Sequence, residues 1–68
     1  MIYKINIINK RLEFLYELEN DILMNLDLNS LSNEPIQGYE EELNRCLIDT
    51  RNKIEALKSL LTNIKEML

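Results

Sequence analysis

Toward the N-terminus, apolar residues recur at Ile5, Ile8, Leu12, Leu15, Ile22 and Leu26, and the seven-residue gap in that series is filled by Glu19. Steps of three, four and seven return side chains to one face of an α-helix, whereas a strand needs strict alternation. No glycine or proline falls between Tyr3 and Leu26, and strong helix formers such as Leu, Glu, Lys and Arg are common there. A second series is stricter. Leu43, Leu47, Thr50, Ile54, Leu57, Leu61, Ile64 and Leu68 alternate steps of four and three without a break. That is the seam of a coiled coil or helical bundle.

Between the two series lies Asn29-Ser-Leu-Ser-Asn-Glu-Pro-Ile-Gln-Gly38, which holds the chain's one proline and one glycine. Asn and Ser compete with helix by bonding their own backbone, so a turn is expected there. Pro35 fits the first turn of the next helix, with Ser32 or Asn33 as its cap. Gly38 reads as a kink, or as a delay of the helix start to Tyr39. The predicted layout is a single helical-hairpin domain over 1–68: a helix over about 3–28, a turn over about 29–35 and a helix over about 36–67. A short connection makes the helices antiparallel neighbours, on the order of 36 and 45 Å long. The expected fold class is all-α, an antiparallel helical hairpin.

The apolar surface is wider than one neighbour covers. Tyr3, Ile7, Phe14 and Leu18 run beside the main stripe of the first helix, and Leu60 and Met67 widen that of the second. Chains this short also bury too little of their own surface for much stability. Cys46 is the lone cysteine and histidine is absent, so neither a disulfide nor a zinc site staples the fold. Completion of a four-helix bundle or coiled coil is therefore expected, by dimerisation or by binding a partner.

Charge adds a polarity to the hairpin. Residues 13–49, its turn half, carry ten acids and one base. Residues 1–12 and 50–68, its open half, carry seven bases and two acids. The acidic end, densest at Glu40, Glu41 and Glu42, suits a basic surface on a partner protein. Self-assembly is a further reading, since antiparallel hairpins would lay acidic tip against basic base, and solubility with helix-dipole matching is the plainest. The overall charge of −4 argues against nucleic-acid and anionic-membrane binding.

Candidate chemistry is sparse. Without histidine or a glycine-rich loop, general acid–base and phosphate-binding motifs are missing. Glu13, Glu17 and Asp21 read as a solvated face, and Cys46 as a small buried filler. Glu19 falls on the apolar face opposite the region of Arg45 to Arg51, so Glu19 and Thr50 are expected to form a polar layer in the core. The expectation is a small, non-enzymatic, cofactor-free cytoplasmic protein. It would act as a regulator, inhibitor or adaptor through Tyr3, Ile7, Phe14 and Leu18 and through Glu40–Glu42. The alternative is a structural subunit or an assembly or secretion chaperone in a coiled-coil complex.

Overall fold

The computed structural model describes residues 2–68. Two helices, α1 (Ile2–Leu31) and α2 (Gln37–Glu66), lie side by side as an all-α hairpin, with no strand among the described residues. Thirty residues each at about 1.5 Å rise give two rods of matched length, about 45 Å. The molecule measures 53 × 14 × 11 Å.

The three-four spacing sets the seam. Ile8, Leu12, Leu15 and Ile22 from α1 are buried, as are Leu47, Thr50 and Ile54 from α2. Leu57, Leu61 and Ile64 are partly buried against Ile8, Leu12 and Leu15. The last seam position, Leu68, is exposed instead, because α2 ends at Glu66 and Leu68 has no turn of helix to present it. No large side chain among the described residues is wholly enclosed. Two helices alone form a seam open on both long sides.

The turn differs from the sequence expectation in three ways. First, α1 continues through Asn29 and Ser30 to Leu31. Ser30 stays helical by donating its hydroxyl to the Asp27 carbonyl at 2.9 Å, the back-bonding open to serine inside a helix. Second, Pro35 lies outside α2, and neither Ser32 nor Asn33 caps it. The N-cap is Ile36, in extended geometry and without a side-chain cap. Ser32 is otherwise engaged, since its Oγ accepts from the Glu34 N–H at 3.3 Å. Third, Gly38 does not delay α2. Gly38 is the second helical residue, its φ is not positive, and a Cβ there would meet nothing within 4 Å.

The work expected of a cap is done from the other helix. Asn29, buried near the end of α1, accepts the Ile36 N–H through Oδ1 at 3.2 Å. Its Nδ2 donates to the Ile36 carbonyl at 3.3 Å. One amide side chain thus clasps both polar groups of the residue that opens α2. This ties the two helices together across a five-residue turn, 32–36.

Candidate interaction surface

The hairpin's two long faces differ. On one, three concavities follow one another along the groove between the helices. The first, at the open end, is lined by Lys4, Ile7, Ile8, Leu60, Ile64 and Met67. The second lies between Arg11, Phe14 and Leu15 on α1 and Lys53, Ala56 and Leu57 on α2. The third reaches toward the turn past Leu18, Ile22, Leu43, Cys46 and Asp49. The opposite face carries a polar groove of Glu55, Lys58, Ser59, Thr62 and Asn63, with Lys58 paired to Glu55 at 3.5 Å.

Ile7, Phe14 and Leu18 all lie on the apolar groove. Tyr3, one turn before Ile7, extends the same strip and is 76% exposed. Phe14, near the middle of the rod, is 64% exposed. A phenylalanine in water forgoes about 1.5–3 kcal/mol of burial. Its helical phase explains the exposure. Positions 3, 7, 14 and 18 recur at steps of four, seven and four, but are turned about a quarter to a third of a circle from the seam at Ile8, Leu12 and Leu15.

The α2 side of this surface is less visible in sequence. Leu60 and Met67 stand out, but Ala56 and Cys46 do not, because Lys53 and Asp49 interrupt the apolar pattern between them. Cys46 is exposed rather than a buried filler. Its neighbour Leu47 takes the seam position, which turns Cys46 outward onto the groove.

Glu40, Glu41 and Glu42 are exposed in the first two turns of α2, away from the apolar groove's open end. Glu42 meets Arg45 at 3.4 Å, both largely solvated. Such a surface pair contributes about 0–1 kcal/mol. Glu40 stands in the first turn of α2 and Lys65 in the last, which suits the helix dipole at both ends.

Glu19 is only 21% exposed in its side chain and accepts from Arg51 Nε at 2.9 Å. Arg51 keeps 53% of its side chain in water, so the pair bridges the helices from the edge of the seam. Thr50, beside Arg51 in sequence, is 3% exposed and sits in the seam itself. No buried side-chain nitrogen or oxygen among the described residues lacks a partner.

Among the described residues no group of three or more His, Cys, Asp or Glu side chains could hold a metal ion. Among the described residues no helix is long and apolar enough to cross a membrane. No family model, curated protein or solved structure matches the chain.

Proposed function

We propose that this protein is a small, non-enzymatic protein–protein interaction module, a regulator, inhibitor or adaptor. It docks through the apolar groove face, and its acidic turn end meets a basic protein surface. The observation that carries the reading is the run of Ile7, Phe14 and Leu18 along three successive concavities whose other wall includes Leu60, Ala56 and Cys46. Apolar strips of this kind are covered by partner helices in helix-in-groove recognition. The absence of histidine and of a glycine-rich loop supports a non-enzymatic role.

A second reading is a structural subunit or an assembly or secretion chaperone of a coiled-coil complex. The unbroken three-four spacing from Leu43 to Ile64 favours it.

Site-specific photo-crosslinking tests the docking face. Benzoylphenylalanine placed at Phe14 preserves an aromatic side chain there and is expected to give covalent adducts in a lysate of the native source. The same group at Thr62, on the polar face, is expected to give none. Equal labelling from both positions, or no adduct at Phe14, would refute docking through the groove.

A further inference from the structure

The charges on the groove face are sorted by position. Lys4, Arg11 and Lys53 line the groove, and Lys10 joins them, three residues from Ile7 and four from Phe14. All four bases lie from the open end to the middle of the rod. Asp49 lines the groove on the turn side. Glu17 and Asp21, three and seven residues beyond Phe14, and Glu42, four before Cys46, continue that face toward the turn. Along this face the open half is mainly basic and the turn half mainly acidic, with Arg45, bonded to Glu42 at 3.4 Å, the base of the turn half and Lys53 reaching the turn-side concavity beside Asp49.

A surface that is basic at one end and acidic at the other complements itself when reversed. We infer that the groove is closed by a second copy of this chain, laid antiparallel over the first, so that the turn of each hairpin covers the open end of the other. This rests on the reading of the groove as a docking face, and names its occupant.

The equal length of the helices fixes the register. End-to-end overlap sets Ile2 of one copy against Leu31 of the other, and Gln37 against Glu66. Arg11 then faces the neighbourhood of Asp21 of the second copy. Lys53 faces Asp49, to which it is already bonded within its own chain at 3.0 Å, so two such pairs form one four-charge cluster. Phe14 lies opposite Leu18, next to the two-fold axis. The turn half supplies apolar surface for the open half to meet, since Leu28 and Tyr39 are exposed and share the groove's helical phase.

The area is adequate. A face 53 Å long and 14 Å wide offers on the order of 700 Å², close to the roughly 800 Å² per partner of a standard stable interface. The product is a four-helix bundle with short turns, in which α1 packs on α1 and α2 on α2.

Register gives a covalent test. Cys46 of one copy lies opposite Leu57 of the other, and the groove-facing neighbour of Leu57 is Ala56. Within a chain, positions 46 and 56 are about 15 Å apart along α2, too far for a disulfide. Ala56→Cys is a small change and is expected to give an intermolecular disulfide dimer under mild oxidation. Wild type, with Cys46 alone, and Thr62→Cys, on the polar face, are expected to stay largely unlinked. A wild-type protein that sediments at 8.1 kDa throughout the micromolar range, with no linked Ala56→Cys dimer, would overturn the second copy as occupant. Adducts from benzoylphenylalanine at Phe14 with a protein of another mass would then leave the docking face standing. A dimer that forms without linking through Ala56→Cys would overturn the antiparallel register.

Discussion

Asn29 holds the turn with a single side chain. Its amide pairs with the N–H and the carbonyl of Ile36, so truncation leaves a partly buried N–H without its partner. Asn29→Ala is expected to cost about 1–2 kcal/mol, read as a lower urea midpoint with an unchanged slope. An unchanged midpoint would mean that water replaces the clasp without loss. Gly38 lies at the other extreme. Its backbone is ordinary helix and its Cβ position is open. Gly38→Ala should therefore stabilise the hairpin by roughly 0.5–1 kcal/mol, and a lower melting temperature would contradict that. Glu19 lies between these cases. Arg51 is half in water and loses little when released, while the carboxylate occupies a seam position that leucine would fill. Glu19→Leu should raise the melting temperature, since apolar replacements often outdo partly buried ion pairs. A clear fall would show that the Arg51 bond is worth more than the packing it displaces.

At the scale of elements, the seam was legible and the turn was not. Ile8, Leu12, Leu15, Leu47 and Ile54 occupy the buried face that their spacing predicts, because burial on a helix follows phase alone. Asn29 read as a helix breaker by its intrinsic preference, yet it is helical, since a partner seven residues away across the turn engages its side chain. No local rule reports a bond across a turn. The same limit hid Ala56 and Cys46, whose place on the groove depends on which face α1 leaves open. Two predictions belong here. Replacing Glu40, Glu41 and Glu42 with glutamine should leave the far-ultraviolet circular dichroism nearly unchanged, because each contributes only about 0.3–1 kcal/mol of dipole energy. Collapse of the signal would assign the run a structural role. Phe14→Glu places a charge at the middle of the groove, and is expected to yield a monomer with most of its helicity lost at micromolar concentration. A fully helical dimer from that variant would place Phe14 outside the interface.

For the whole molecule, shape and charge together make the case for assembly. Among the described residues the two-helix rod encloses no large side chain fully, and chains of this size usually gain stability from a partner. The apolar groove gives the partner a place, and the basic-to-acidic order along it gives the partner an orientation. Salt separates the two contributions: if apolar burial dominates, affinity falls only modestly as ionic strength rises, and if the sorted charges dominate it falls steeply. Small-angle X-ray scattering tests the central claim most directly, since it returns mass and length from one sample. Antiparallel overlap predicts twice the 8.1 kDa chain mass with a longest dimension close to the 53 Å of a single hairpin. A particle of one chain mass, or one of doubled mass and nearly doubled length, would contradict it.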